Sequence, residues 1–189
     1  MMTPFEHISV LVSIVIGFAV TTLLAGAVRL VHRRSTVVWY WPSAVWMLTV
    51  LLIDIQVWWS RFGWRNHHTW TFAIYFAMLL VPIGAYALSA LLVAETDESP
   101  IDLRKEYFAR RKVFFGLLMV TVAASYLPDL LADGSLGNRF DAATKAGIIA
   151  LNLPGVLSDN ELLHKGLTVF GLIVILAYIG VLFAALPAA

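Results

Sequence analysis

Apolar residues run almost unbroken from Ile8 to Val31, with no charge before Arg29. Crossing a ~30 Å hydrocarbon core takes roughly 20 helical residues, so this run predicts a first transmembrane helix. A second is predicted over Val37 to Trp59, bounded by Trp39, Tyr40 and Trp41 at one end and Trp58 and Trp59 at the other. Such amphipathic rings favour the headgroup layers, as two aromatic belts. The third span, Trp70 to Ala94, contains Pro82 and Gly84; proline removes a backbone donor, which predicts a kink near mid-membrane. Ser99, Pro100, Ile101 and Asp102 form a helix-start pattern, with a capping hydroxyl, proline at the first position and an acid at the third. That helix is expected to run through Arg110 and Arg111 into a fourth span, Val113 to Leu131.

A turn-rich break over Ala132 to Gly137 precedes a short apolar helix, Ala142 to Leu151, closed by Asn152, Leu153, Pro154 and Gly155. About ten residues cannot cross a bilayer, so this piece is expected to be re-entrant or interfacial. Ser158 to Glu161 repeats the capping pattern and opens a fifth span, Leu162 to Leu186. The fold class is therefore all-α: a polytopic transmembrane helix bundle of about five spans and one short helix, forming a single membrane domain over residues 1–189.

Composition supports that reading, since 60% of the residues are hydrophobic and 13% charged, whereas soluble domains carry about 25% charged residues. No linker or internal repeat divides the chain. The residues before Ile8 lack a basic n-region, so the first helix is expected to be retained. The net charge of +1 gives no field that would argue for nucleic acid. Cysteine is absent, which excludes disulfides, thiolate catalysis and cysteine-ligated metals.

The short loops fix an expected orientation, because Lys and Arg concentrate on the cytoplasmic side. With the N-terminus outside, the inner side holds Arg29, Arg33, Arg34, Arg104, Lys105, Arg110, Arg111 and Lys112. The outer side holds Arg61, Arg65, Arg139, Lys145 and Lys165. This predicts N-out and C-in; a sixth crossing over Ala142 to Leu151 would move the C-terminus outside. The segment Glu95 to Lys112 begins acidic and ends basic, which suits a helix dipole and anionic inner-leaflet lipid. It reads as a topological anchor or a docking surface for a cytoplasmic partner.

Two patterns carry the candidate chemistry. Ser9, Ser13, Gly17, Thr21 and Ala25 recur every four residues, and small side chains let helix backbones approach closely in lipid. This stripe reads as a helix-packing seam or, alternatively, a polar pore lining. Asp54 stands inside the second span among apolar neighbours, where an ion costs on the order of 2.5 to 3.5 kcal/mol by insertion scales. It is expected either to pair with Arg61 or a hydroxyl as structural glue, or to act as a protonatable or cation-binding group in an outward-facing cavity. Gln56, two residues on, points to another face. Glu6, His7, Tyr126, Asp129, Glu161, His164 and Lys165 are expected on the same outer side. A polar site is thus predicted from Asp54, Gln56, Glu6, Asp129 and Arg61.

None of the five histidines falls within the interior of a predicted span, and there is no H-E-x-x-H pair, so no metal or haem is expected. Glycine-rich nucleotide loops, nucleophile elbows and kinase signatures are absent. No catalytic residue, enzymatic activity or cofactor is expected.

The segment Phe5 to Leu11, the run Gln56, Val57, Trp58, Trp59, and Tyr107 and Phe108 followed by Arg111, Phe114 and Phe115 resemble a group of small bacterial membrane proteins without assigned activity. The resemblance implies a bacterial inner membrane. Taken together, these features suggest a small oligomeric channel or carrier, or a non-catalytic subunit or assembly factor of a larger membrane complex. The partners expected are lipid and either further copies or a larger assembly.

Overall fold

The computed structural model describes residues 3–93 and 100–182. Seven α-helices account for most of them: α1 (Pro4–His32), α2 (Trp41–Ser60), α3 (Phe72–Leu92), α4 (Leu103–Ala124), α5 (Leu127–Asp133), α6 (Arg139–Leu157) and α7 (Glu161–Leu182). Five stretches are long and apolar enough to cross a membrane: Pro4–His32, Trp41–Trp64, Phe72–Leu92, Leu103–Asp133 and Glu161–Val181. Their outward faces carry large apolar side chains such as Phe18, Ile55, Phe76, Val120 and Ile173. Exposure of this kind suits a hydrocarbon surround, and the chain fits an all-α membrane protein.

Local chemistry sets the helix starts. Thr3 and Glu6 form a reciprocal capping box at α1, the Glu6 carboxylate accepting from the Thr3 N–H at 2.7 Å. Pro42 sits in the first turn of α2, which moves that start to Trp41 from the expected Val37. The displaced residues Val37 and Val38 instead pair in parallel with Ile101 and Asp102. Asp102 caps α4, its side chain accepting from the N–H groups of Arg104 and Lys105. The expected cap Ser99 lies outside the described residues, as do Glu95, Asp97, Glu98 and the span's last residues up to Leu186. α3 runs continuously through Pro82.

The sixth helix differs most from expectation. α6 covers 19 residues, about 28 Å at 1.5 Å per residue, and does not stop at Asn152. Pro154 sits inside it, and Asn152 Nδ2 donates to the Ile148 carbonyl at 2.8 Å. This polar side chain is therefore satisfied within its own helix and ends nothing. α6 lies antiparallel along α4. At one end the Tyr126 hydroxyl donates to the Ala142 carbonyl at 2.6 Å; at the other, the Arg111 guanidinium donates to the Ser158 carbonyl and pairs with Asp159. Residues 142–151 are thus not a separate short helix: they are the middle of a longer one that runs along α4.

The end where α1 begins is termed the near end, and the opposite one the far end. The traverse by α6 puts the start of α7 at the far end, where Glu161 takes two hydrogen bonds from Arg104 at 2.8 and 3.0 Å. α7 finishes at the near end, with the Tyr178 hydroxyl on Asp141. Glu161, His164 and Lys165 therefore do not join Asp54's side, as the sequence suggested. Lys165 moves to the far end with Arg29, Arg33, Arg34, Arg104, Lys105, Arg110, Arg111 and Lys112, leaving Arg61, Arg65, Arg139 and Lys145 at the near end.

Two apolar clusters hold the bundle. Ile8, Val12 and Ile16 of α1 meet Ile74, Met78, Val81 and Ala85 of α3 in the near half. Leu23, Trp46, Leu88, Tyr107, Phe114, Phe115 and Leu118 fill the far half. α3 backs the assembly, and α2, α4, α6 and α7 leave a space between them.

Candidate functional site

Helical spacing places one face of each surrounding helix on this space. Residues three or four apart share a face, and the wall uses Thr49, Ile53, Gln56 and Ser60 of α2, Leu118, Thr121 and Ser125 of α4, Asp141, Lys145, Ile148 and Asn152 of α6, and Leu167, Gly171, Val174 and Tyr178 of α7. They enclose a cavity of about 250 Å3. Its near end is polar, with Ser60, Arg61, Ser125, Asp129, Asp141, Lys145 and Tyr178; its depth is mostly apolar, with Leu88, Leu118, Leu151, Leu167 and Phe170 beside Thr49, Thr121 and Asn152. Trp46 forms the floor, its ring edge-to-face against Phe114 and Phe115 at centroid distances of 5.0 and 5.4 Å. A Cβ on Gly171 would meet that indole at 3.0 Å, so glycine there lets α7 close over the ring.

Charges at the mouth fall into two groups. Asp141 is neutralised by Lys145 one turn away at 2.6 Å and accepts from the Tyr178 hydroxyl. The Lys145 ammonium also lies 5.2 Å above the Tyr126 ring. Arg61 and Asp129 also line the mouth, where Lys145 is the main compensating charge for Asp129 and Arg61 a lesser one; no ion pair within 4.0 Å joins Arg61 to Asp129. Six buried side-chain atoms lack a hydrogen-bond partner among the described residues, and Arg61 Nε, Trp46 Nε1 and Thr121 Oγ1 are three of them. All three belong to residues of the cavity wall. Buried polar groups are nearly always satisfied; Thr121 Oγ1 lies against Gly84 of α3 and Trp46 Nε1 is turned toward Tyr107, which leaves Arg61 Nε as the unsatisfied donor at the mouth.

The expected polar site is brought together in part. Gln56, Arg61 and Asp129 line the cavity, whereas Asp54 and Glu6 do not. Asp54 is 0% exposed and faces α3, where the Ser89 hydroxyl donates to its Oδ2 at 3.1 Å. It pairs with a hydroxyl and not with Arg61, because one face of α2 points toward α3 and the next toward the cavity. Glu6 is occupied by the α1 cap. Asp141, Lys145 and Tyr178 escaped the sequence reading; the signal was the series Asp141, Lys145, Ile148, Asn152 on one helical face, legible only once α6 is extended back to Arg139.

The small-residue stripe also lies elsewhere than within the bundle. α1 packs through Ile8, Val12, Ile16, Ala19, Leu23, Gly26 and Leu30, while Ser13, Gly17, Thr21 and Ala25 are exposed. Ser13 accepts from Trp58 Nε1 at 3.0 Å, and a Cβ on Gly17 would meet nothing within 4 Å.

His164 is 0% exposed at the far end. Its Nε2 lies 2.8 Å from the Ser158 carbonyl, so that nitrogen donates, and the Tyr107 hydroxyl donates to Nδ1 at 3.0 Å. Packed by Phe108 and Phe115, it ties α7 to α4 below the cavity floor. Among the described residues no group of three or more His, Asp or Glu side chains is placed to hold a metal.

No protein-family model, curated protein or solved structure matches the chain.

Proposed function

We propose that this is a transport-type membrane protein, a small carrier that takes its substrate from the near end into the cavity between α2, α4, α6 and α7. The observation that carries the reading is the shape of that cavity, with a charged mouth, a mostly apolar interior and a floor formed by Trp46, whose ring is backed by Phe114 and Phe115. A closed floor favours alternating access over an open channel. The polar residues are then Arg61, Asp129, Gln56, Asp141 and Lys145, with Asp54 as structural glue between α2 and α3. No catalytic role is proposed.

Nine basic residues at the far end against four at the near end support a cytoplasmic far end. With six passes, both the start of α1 and the end of α7 then lie outside, in place of the C-in arrangement expected from five. The resemblance noted above supports a bacterial inner membrane.

The test places a single thiol deep in the cavity through Ile148→Cys, the native chain having none. Modification by a small membrane-impermeant reagent from each face in turn is the expected result. Modification from the near end alone would sink carriage and leave a static pocket.

A second reading, a subunit of an oligomer or of a larger membrane complex, is favoured by the exposed stripe of Ser13, Gly17, Thr21 and Ala25. Small side chains that leave the backbone approachable on one face suit a close-packed partner helix.

A further inference from the structure

Charges at the edge of a membrane cavity normally neutralise one another. Asp141 follows that rule through Lys145 and Tyr178; Lys145 also offsets part of the charge of Asp129, but Arg61 and Asp129 form no ion pair with each other. Both face the mouth, and neither makes an ion pair or side-chain hydrogen bond among the described residues. Arg61 Nε is buried and can only donate. Two opposite charges that line one cavity without pairing directly are complementary to a dipolar ion: a carboxylate can accept from the guanidinium fork while an ammonium donates to the aspartate. Behind the charged pair, Leu118, Ile148 and Phe170 supply an apolar wall. The volume of about 250 Å3 has room for a solute of amino-acid size.

Taking the cavity as the substrate site just proposed, we infer that its ligand is a small zwitterion bearing one apolar substituent, of the size of a branched-chain amino acid. The carboxylate sits on Arg61, the ammonium on Asp129 and the substituent against α4, α6 and α7. A plain anion of the same shape brings no donor for Asp129, and a plain amine brings no acceptor for Arg61.

The test uses the full-length protein in lipid nanodiscs with Ile148→Cys as reporter and three probes of nearly equal shape: leucine, 4-methylpentanoate and 3-methylbutylamine. Leucine is expected to slow thiol modification at concentrations about tenfold or more below either truncated analogue, the factor carried by one charge-assisted hydrogen bond. Arg61→Gln should erase the advantage of leucine over the amine, and Asp129→Asn its advantage over the acid. Arg61→Lys and Asp129→Glu should restore much of each, which separates recognition from misfolding. Equal protection by leucine and either analogue, or selectivity unmoved in Arg61→Gln and Asp129→Asn, overturns the assignment. Failure of this ligand class appears as a thiol reachable from both faces that leucine does not protect. Failure of carriage appears as a thiol reachable from one face alone, whatever protects it.

Discussion

Replacing Gly155 by alanine tests the packing of α6 on α4 at its tightest point. An added Cβ would lie 2.7 Å from Cγ and Cδ2 of Phe115 and 2.8 Å from Cδ1. Carbon atoms rest at ~3.5 to 4.0 Å, so the helices must part by about 1 Å unless the ring moves. The ring has no room to move, being 0% exposed and wedged against Trp46, Phe114 and His164. Overpacking of this kind costs about 1 to 3 kcal/mol, and alanine in a helix returns ~0.5 to 1 kcal/mol relative to glycine. The expected net loss is therefore up to about 2.5 kcal/mol. Gly147 lies in the same helix with nothing within 4 Å of an added Cβ, so Gly147→Ala should stabilise by ~0.5 to 1 kcal/mol. Reversible unfolding in mixed micelles measures both, and Phe115→Leu should relieve the Gly155→Ala defect in a double-mutant cycle. If both alanine substitutions shift stability equally and in the same direction, α6 does not run against Phe115 and the reasoning fails.

Ser89→Ala should cost about 1 to 3 kcal/mol, because it strips the donor from a buried carboxyl group. Asp54→Asn keeps an oxygen for Ser89 and removes the need to solvate an ion in the bundle, so it should cost less; the opposite order in unfolding experiments would restore a functional Asp54. Tyr107→Phe leaves His164 Nδ1 without its donor and should cost about 1 to 3 kcal/mol, with faster backbone hydrogen exchange at the start of α7; unchanged exchange there would remove the clamp. Gly17→Leu should shift the stability of the monomeric bundle by less than about 0.5 kcal/mol, as exposed changes do, while reducing cross-linked oligomer. Undiminished cross-linking would take the stripe out of any interface.

Spans were legible wherever apolar runs were long, since hydrocarbon thickness fixes their length regardless of partners. α6 was not, because Arg139, Asp141 and Lys145 dilute its first turns and Pro154 resembles a stop. Its length comes from contacts within the helix together with packing on α4: Asp141 and Lys145 neutralise each other one turn apart, Asn152 bonds back to Ile148, and Gly155 accepts the Phe115 ring. Missing that one traverse inverted α7 and carried Glu161, His164 and Lys165 to the wrong end. The site was half visible for a related reason. Arg61, Gln56 and Asp129 are unusual from composition alone, but which face of α2 meets a cavity and which meets Ser89 depends on the placement of α3, a contact that periodicity does not encode. The α1 stripe was equally plain as a pattern, although its direction relative to the bundle was set by the larger apolar residues beside it.

Single-cysteine labelling of the two loops that flank α6 tests the central claim most directly. Ser135→Cys should react with an impermeant thiol reagent from the same side as His68→Cys, and Asn160→Cys from the opposite side. Labelling of Ser135→Cys and Asn160→Cys from one and the same side would mean that α6 does not cross, and with it the cavity walls described above would be lost.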